Sequence, residues 1–389
     1  LSRSSAASDV YKRQIQYNPS QHNSTMTKII VQKFGGTSVG SVERIDAVAD
    51  IIADASKTAK IVVVVSAMAG ETNKLVNLAK NFSENPDKRE FDALVSTGET
   101  VSSALLSLAL HSKGIKAKSY SASQISMKTT DTYSKAKILD VNAEKILQVI
   151  KEETIPIITG FQGVTEDGDI TTLGRGGSDT TAVAIAAQIG AERCDIYTDV
   201  DGIYTTDPKI VPNAKKLDSI TMEEMLELAG QGAKVMQTRA VEFANKYNVP
   251  VRVLSSFTEG SGTLITLEEE SMENALISGI AFQKDQVKFT LHGVGDIPGT
   301  AFKILGPISD AEVEVDVIVQ NVSVDGKTDF TFTVPYEDQE TVIKIIDSIK
   351  DEVKFKQMMV DSDIAKVSLV GVGTVSYTHL TLPTIAIVL

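Results

Sequence analysis

Several residue types are rare in this sequence, and each shortage excludes a class of protein. Its 389 residues include one cysteine, so no disulfide can form within the chain, as is usual in a reducing compartment such as the cytoplasm. Histidine occurs only four times, so neither a zinc site nor a histidine-based hydrolase is expected. The sequence contains no run of eighteen consecutive apolar residues, the length that would suggest a membrane span. A net charge of -13 argues against nucleic acids and anionic membrane surfaces as partners.

The two ends of the chain lack the periodicity of the rest. They read "LSRSSAASDVYKRQ" and "VSYTHLTLPTIAIVL", and both resemble translated adapter sequence. We therefore expect residues 1–25 and 375–389 to be non-native or disordered extensions. Natural disordered tails are the alternative.

Between residues 26 and 268, strand and helix patterns alternate. "IVVVVS" (61–66) is a continuous β-branched run, as in a strand buried on both faces. "GVTEDGDITT" predicts a hairpin, and Ser96 or Thr97 would cap the helix in "ETVSSALLSLALHSKG". The alternation predicts an αβα sandwich with a mostly parallel sheet, whose ligands bind beyond the carboxyl ends of the strands.

Smaller elements follow in the region 275–374. Their order is β-α-β-β-α-β over about residues 285–361. That order predicts a separate ferredoxin-like domain.

The segment "KFGGTS" (33–38) follows the first strand. Gly35 and Gly36 would let backbone N–H groups approach phosphate oxygens, and Lys33 would supply positive charge. A tight turn with a surface lysine is the alternative.

A second glycine-rich segment, "TLGRGGSDTTAVA" (172–184), precedes a helix. A helix N-terminus attracts anions, and Arg175 could bind a carboxylate through two parallel hydrogen bonds. Ordinary capping, with Ser178 as N-cap and Asp179 in the first turn, is the alternative. Capping requires neither the arginine nor three glycines, so we favour a binding site.

Acidic residues at two further strand ends are the remaining candidates for binding residues. Glu99 in "STGET" could be only a helix-dipole partner, and "YTDVDGIYTTDP" (197–208) could bind a nucleotide with its Mg²⁺ or be a solvated loop. Phosphoryl transfer needs mainly positioning and positive charge. The sequence lacks a P-loop motif, yet these segments together predict a phosphoryl transferase.

The ordered motifs resemble the aspartate kinases of the amino-acid kinase superfamily, in particular the bacterial monofunctional type regulated by lysine and threonine. The matching segments are "VQKFGGTSVG", "VVVSAM", "STGE", "ITGFQG", "TTLGRGGSDTTA", "YTDVDGIYTTDP", "KLDSITMEEMLELAGQGAKVMQTRAVEFA" and "VPVRVLSS". The resemblance implies a cytoplasmic enzyme that transfers a phosphoryl group from ATP to the side chain of L-aspartate, the first step towards lysine, threonine and methionine.

The resemblance also implies roles for individual residues. Lys33 would stabilise the transferring group and Asp179 would orient Lys33. The substrate contacts would be Ser38, Thr72, Glu99, Arg175 and Ser178, with Glu99 at the amine and Arg175 at a carboxylate. The ATP contacts would be Lys33, Phe34, Gly35, Gly36, Thr198, Asp199, Tyr204, Asp207, Lys209 and Lys234. Mg²⁺ would accompany ATP without dedicated protein ligands. A substrate carboxylate is ionised at neutral pH, so no general base is required.

The C-terminal part resembles ACT domains, which are small amino-acid sensors. "GDIPGTA" and "VQNVS" imply effector contacts by Asp296, Gly299, Ala301, Gln320 and Asn321. Lysine, threonine or both would be the effectors. ACT pairing would give a homo-oligomer or an assembly with a short regulatory subunit, for which Met272 is a candidate start. In this family one ACT unit is nested in another, and the outer unit ends early here, after "VSLVGVG". We therefore expect impaired feedback.

Two other functions compete with this one. A sister kinase acting on glutamate or N-acetylglutamate would share the core fold, although Glu99 and the ACT-like region favour aspartate. A sensor that only binds amino acids would not need Lys33, Arg175 and Asp179 together.

Overall fold

The computed structural model describes four stretches of the chain, residues 28–233, 235–267, 277–321 and 326–371. The side chain of Asn321 is not described. Four features of the sequence interpretation lie outside the described residues: the two terminal segments, Lys234 and Met272.

The strands are numbered along the chain as β1 Ile29–Phe34, β2 Lys60–Val65, β3 Ala117–Tyr120, β4 Lys128–Thr129, β5 Ile138–Asp140, β6 Ile155–Thr159, β7 Gln162–Val164, β8 Ile170–Thr172, β9 Arg193–Thr198, β10 Ser219–Thr221, β11 Val251–Ser255, β12 Thr263–Thr266, β13 Gly279–Gln283, β14 Gln286–Gly295, β15 Ile318–Asn321, β16 Lys327–Pro335, β17 Gln357–Asp361 and β18 Lys366–Val370. The α-helices are α1 Val42–Ala55, α2 Glu71–Lys80, α3 Lys88–Val95, α4 Thr97–Ser112, α5 Ala143–Lys151, α6 Gly177–Ile189, α7 Met222–Gly230, α8 Thr238–Tyr247, α9 Thr300–Asp310, α10 Gln339–Ser348 and α11 Lys350–Val353.

The central sheet has eight strands in the order β10-β12-β11-β9-β1-β2-β6-β3. Its neighbouring strands are parallel except β11 and β12. One apolar core lies between the sheet and α1 and α4, and another lies between the sheet and α5 to α8. Burial on both faces explains the unbroken β-branched run of β2. The predicted αβα sandwich with a mostly parallel sheet is confirmed.

A second, small sheet has the order β5-β4-β7-β8. The predicted hairpin is its β7–β8 pair, and Gly168 in the turn has a φ of 92°, which glycine adopts without strain. The hairpin does not belong to the main sheet. Its last strand leads into the glycine-rich segment 174–177, so it sets the direction from which that segment enters the site.

The C-terminal region forms the predicted ferredoxin-like unit. An antiparallel sheet of order β15-β16-β14-β17 packs against α9 and α10 through a core that includes Phe289, Phe330 and Phe332. Outside this unit, β13 pairs with β18 in an antiparallel ribbon. Both strands have residues in the core around α7, so the ribbon lies against the N-terminal half.

The predicted caps of α4 were wrong. Ser96 has helical φ and ψ and ends α3, so α3 and α4 run almost end to end. The Ser96 and Thr97 hydroxyls donate to Ala93 O and Leu94 O, as hydroxyls inside a helix do.

The combined helical segment Lys88–Ser112 has 25 residues, and its most apolar 18-residue window has a mean hydropathy of 1.4, enough by length and composition to cross a membrane. Half of its most apolar window is buried inside the protein, and a core helix passes the same test. It is weak evidence for a membrane span.

Candidate active site

A cavity of about 310 Å³ opens beyond the carboxyl ends of β1, β2 and β6. Parallel strands gather the segments that follow them at one edge of the sheet. The cavity is lined by Lys33, Gly36, Ser66, Ala67, Met68, Ala69, Gly70, Thr72, Glu99, Phe161, Gly174, Arg175, Gly176, Gly177, Ser178 and Asp179. Three of the motifs singled out in the sequence therefore meet in one place.

Lys33 and Asp179 form an ion pair in this cavity, with Lys33 Nζ 2.5 Å from Asp179 Oδ1. Each residue is only 8% exposed. Lys33 is held by β1 in the middle of the sheet, and Asp179 lies in the first turn of α6. A largely buried charge is stable only when paired, so this contact fixes the ammonium at the cavity wall.

The two glycines after Lys33 have different surroundings. A Cβ at Gly36 would lie 2.9 Å from Ala67 O, closer than side-chain carbons normally come to a carbonyl. A Cβ at Gly35 would lie 3.5 Å from Lys33 Nζ and 3.5 Å from Tyr197 O, an ordinary contact. Gly36 is therefore the position where only glycine fits.

Glu99 is buried at the start of α4, and its Oε1 accepts a hydrogen bond from Ala67 N–H at 3.1 Å. Gly98 permits this approach, because a Cβ there would lie 2.7 Å from Ala67 Cβ. Glu99 Oε2 is buried without a hydrogen-bond partner among the described residues. Burial raises the pKa of Glu99 to about 7, although the N–H groups of Glu99 and Ala67 act in the opposite direction. The unpaired oxygen is suited to a cationic ligand.

Arg175 lies at the rim of the cavity on the segment between β8 and α6. It is exposed, and its guanidinium makes no hydrogen bond or ion pair with the residues described here. The predicted N-cap at Ser178 was wrong: α6 begins at Gly177, and Gly176, with a φ of 70°, precedes it. Ser178 instead packs against Gly160, where a Cβ would lie 2.7 Å from the serine hydroxyl.

Sequence reasoning missed the segment 66–70 and Phe161 as parts of the cavity wall. Phe161 has a φ of 67°, which is uncommon for a bulky residue and is typical of functional sites. Its N–H donates to Thr181 Oγ1 at 3.2 Å and its carbonyl accepts from Leu173 N–H at 2.9 Å. Phe161 belongs to the motif "ITGFQG", but only the folded structure shows that it lines the cavity.

The remaining predicted substrate and phosphate residues differ in position. Thr72 lines the cavity. Ser38 and Phe34 are fully buried behind it: Ser38 Oγ donates to Tyr197 O at 3.4 Å, and the Phe34 ring stacks on Tyr197. Any contact of Phe34 with a ligand would be through its backbone.

Five of the predicted ATP contacts lie at the carboxyl end of β9 and in the loop that follows, outside the cavity lining: Thr198, Asp199, Tyr204, Asp207 and Lys209. Thr198 Oγ1 donates to Asp199 at 3.1 Å, and Asp207 accepts from Lys209 N–H at 2.9 Å. Tyr204 donates to Asp201 at 2.9 Å. β9 is the neighbour of β1, and Gly35 N–H donates to Tyr197 O at 3.1 Å, so this loop adjoins the glycine turn.

Four of the five predicted effector residues surround the start of α9. Gln320 Nε2 donates to Asp296 Oδ1 at 3.4 Å, which joins β15 to the loop after β14. Gly299 precedes α9 with a φ of 90°, and Ala301 lies in its first turn. For Asn321 only the backbone, in β15, is described.

The geometry has the components that phosphoryl transfer requires: a fixed ammonium, an exposed guanidinium, a helix N-terminus and glycine turns beside one cavity. The amino acid kinase family model matches residues 28–255 of this chain. The chain therefore belongs to the amino acid kinase family.

Several aspartate kinases are among its relatives. It is 57% identical over 351 residues to an aspartate kinase of Stutzerimonas stutzeri, covering 90% of this chain and 85% of that one. It is 56% identical over 352 residues to an aspartokinase of Pseudomonas aeruginosa, with the same 90% and 85% coverage.

Two solved structures of E. coli aspartokinase III share its fold. The complex with aspartate and ADP (R-state) has a TM-score of 0.74 at 27% identity and covers 91% of this chain and 90% of that one. The complex with lysine and aspartate (T-state) has a TM-score of 0.71 at 29% identity, with coverage of 88% and 86%. The resemblance to the aspartate kinases that the motifs indicated is confirmed, and so is the prediction of an ATP-dependent kinase.

Proposed function

We propose that this protein transfers the γ-phosphoryl group of ATP to the side-chain carboxylate of L-aspartate, giving 4-phospho-L-aspartate and ADP. The observation that supports this most is the shared cavity of the Lys33–Asp179 pair, Glu99 and Arg175. The E. coli aspartokinase III structure contains aspartate and ADP. One carboxylate oxygen attacks the γ-phosphorus while the bond to the β–γ bridging oxygen breaks, so no proton is removed.

The substrate is bound by complementary charges. Arg175 pairs with a carboxylate of aspartate in two parallel hydrogen bonds, and Glu99 pairs with its ammonium group through Oε2, which has no hydrogen-bond partner among the described residues. The remaining substrate contacts are Thr72, Ser178 and Ser38. Placing opposite charges at both ends orients the side-chain carboxylate towards the phosphate.

ATP is bound along the carboxyl ends of β1 and β9. Lys33, Gly35, Gly36 and the backbone of Phe34 contact its phosphates, and Lys33 stabilises the charge of the transferring group. Asp179 positions Lys33. The rest of ATP is in contact with Thr198, Asp199, Tyr204, Asp207, Lys209 and Lys234.

Mg²⁺ accompanies the nucleotide in this proposal. Among the described residues, no group of three or more His, Cys, Asp or Glu side chains is placed to bind a metal. Mg²⁺ is usually bound by one or two carboxylates together with substrate phosphates, and the exposed Asp199 and Asp207 could supply these. When bound, the ion neutralises phosphate charge.

We further propose that lysine, threonine or both regulate this cytoplasmic enzyme as end products of the route that it opens towards lysine, threonine and methionine. The effector contacts are Asp296, Gly299, Ala301, Gln320 and Asn321. An E. coli aspartokinase III structure contains lysine, and the Asp296–Gln320 hydrogen bond brings the two predicted effector segments together. The ACT units would also join copies into a homo-oligomer or bind a short regulatory subunit. An effector that binds one conformation better shifts the population towards it.

Trapping of the acyl phosphate with hydroxylamine tests the reaction. The full chain is incubated with ATP, Mg²⁺ and one of aspartate, glutamate or N-acetylglutamate. Turnover with aspartate alone supports the proposal. Faster turnover with either other acceptor identifies a sister kinase instead. If no acceptor is turned over although far-UV circular dichroism shows a folded α/β protein, the result supports a sensor that only binds amino acids.

A further inference from the structure

Asp92 is a fully buried carboxylate of α3, outside the cavity lining. Its Oδ2 accepts the N–H groups of Ser134 at 2.8 Å and Thr172 at 2.7 Å. Its Oδ1 accepts the hydroxyls of the same residues at 3.0 Å and 2.9 Å. Four donors converging on one buried carboxylate form a satisfied polar network, which holds its members in one arrangement.

This network ties together two segments beside the substrate cavity. Thr172 ends β8, three positions before Arg175, and Ser134 belongs to a loop next to it. Gly174 has a φ of 76°, and a Cβ there would lie 3.0 Å from Ser134 O. The segment that carries Arg175 therefore packs directly on the loop that Asp92 fixes.

Arg239 of α8 joins the same two segments from another side. Its guanidinium donates to Leu173 O at 2.8 Å and to Ala136 O at 2.9 Å. Arg175 makes no side-chain hydrogen bond or ion pair with the described residues, so the backbone that carries it determines its position.

We propose that Asp92 is a positioning residue that fixes the entry of Arg175 into the substrate cavity. The inference rests on the proposed role of Arg175 as the ligand of the substrate carboxylate. A binding arginine needs a backbone held to within a fraction of an ångström, and Asp92 supplies that support from 80 residues away in sequence.

Neighbouring threonines of β8 provide a matched pair of variants. Thr172→Val removes one hydroxyl donor to Asp92, whereas Thr171→Val removes the hydroxyl contact with Thr129, 2.6 Å away. Loss of one buried hydrogen bond predicts an aspartate KM about threefold higher in Thr172→Val, with the ATP KM unchanged. Thr171→Val should lower Tm to a similar extent and leave both KM values unchanged. Equal effects of the two variants on the aspartate KM would overturn the inference.

Substitution of Asp92 itself gives a larger effect. Asp92→Ala leaves four donors unpaired and should raise the aspartate KM about tenfold. Asp92→Asn should remain close to wild type, because the amide oxygen accepts both N–H groups and the amide nitrogen donates to both hydroxyls.

An Arg175→Ala background tests whether Asp92 acts through Arg175. There, Asp92→Ala should raise the aspartate KM by less than about a further twofold, because the effects of coupled residues are not additive. Full additivity would show that Asp92 acts through stability alone. If Asp92→Ala does not fold, the threonine pair decides.

Two controls separate this inference from the proposed function. Turnover of aspartate by wild type and a raised aspartate KM in Arg175→Ala test the proposed function alone. Hydrogen exchange of residues 173–177 tests positioning without reference to activity. Faster exchange in Thr172→Val than in Thr171→Val is expected, and equal exchange would contradict the role of Asp92.

Discussion

Lys33 and Asp179 depend on each other, because both side chains are nearly buried and each is the charge partner of the other. We predict that Lys33→Ala lowers kcat by about 10²- to 10³-fold, since it removes preorganised positive charge at the transferring group. It should also lower Tm, because Asp179 is left as an unpaired buried charge. Steady-state kinetics and thermal unfolding measure the two effects.

The double variant Lys33→Ala/Asp179→Ala separates these effects. It should recover part of the lost Tm without recovering kcat. Lys60, at the start of β2, is a suitable control, because its partner Glu153 is exposed and Lys60→Ala should leave kcat unchanged. Full turnover by Lys33→Ala would refute the role of Lys33.

The raised pKa of Glu99 predicts pH-dependent substrate binding. With a pKa of about 7, Glu99 is mostly protonated at pH 6 and mostly ionised at pH 8. Only the ionised form pairs with an ammonium group, so the aspartate KM should be about tenfold higher at pH 6 than at pH 8. Glu99→Gln should give a high KM that no longer changes over this range. A flat profile in wild type would exclude Glu99 as the ligand of the amine.

The same shift has a consequence for folding. A carboxyl group whose pKa is raised in the folded state binds more protons there than in the unfolded chain, so stability falls as pH rises from about 4.5 to about 7. Glu99→Gln removes this contribution. The variant should therefore gain stability relative to wild type at pH 8, as measured by denaturant unfolding at several pH values. If Glu99→Gln is no more stable than wild type at pH 8, burial of the ionised Glu99 carboxylate does not cost stability.

At the scale of one element, the turn after β1 predicts opposite outcomes for adjacent glycines. Gly36→Ala would place a Cβ 2.9 Å from Ala67 O, so the loop must shift away from the segment 66–70. We expect a lower Tm and an ATP KM at least several-fold higher, because small displacements at a site have large kinetic effects. Gly35→Ala meets only ordinary contacts at 3.5 Å and should retain most activity. Similar kinetics in the two variants would contradict this geometry.

Elements and their order could be predicted where the pattern is local. The β-branched run of β2 and the alternation of strands and helices are properties of neighbouring residues, and they give the parallel sheet directly. The caps at Ser96 and Ser178 could not, because their surroundings are set by tertiary packing: α3 runs into α4, and Gly160 lies against Ser178. Local capping preference is overridden in both places.

The candidate site shows the same division. Lys33, Glu99, Arg175 and Asp179 lie in short motifs at strand and helix ends, and the sheet brings them together. Asp92 carries no local signal, because its partners are 42 and 80 residues away. The left-handed backbone of Phe161 is likewise invisible in the sequence, since its neighbours impose it.

At the scale of the whole molecule, the β13–β18 ribbon contacts the proposed nucleotide loop. Ile280 N–H of β13 donates to Thr205 O at 2.7 Å, and Thr205 lies between Tyr204 and Asp207. Ser278 Oγ donates to Glu224 of α7, and Ser368 Oγ of β18 donates to Gln231 at 2.8 Å. A displacement of this ribbon would therefore move the proposed nucleotide loop.

Gly279 tests that connection. Gly279→Ala would place a Cβ 3.0 Å from the Leu228 side chain and 3.2 Å from Thr205 O, so β13 and the loop must separate by a few tenths of an ångström. We predict an ATP KM about threefold higher with an unchanged aspartate KM, because only the nucleotide loop is displaced. Gly306→Ala is the control: its Cβ would meet nothing closer than 3.8 Å inside α9, so it should raise Tm and leave both KM values unchanged. If folded Gly279→Ala keeps the wild-type ATP KM, the ribbon does not act on the nucleotide loop, and any effector response must reach the site by another contact.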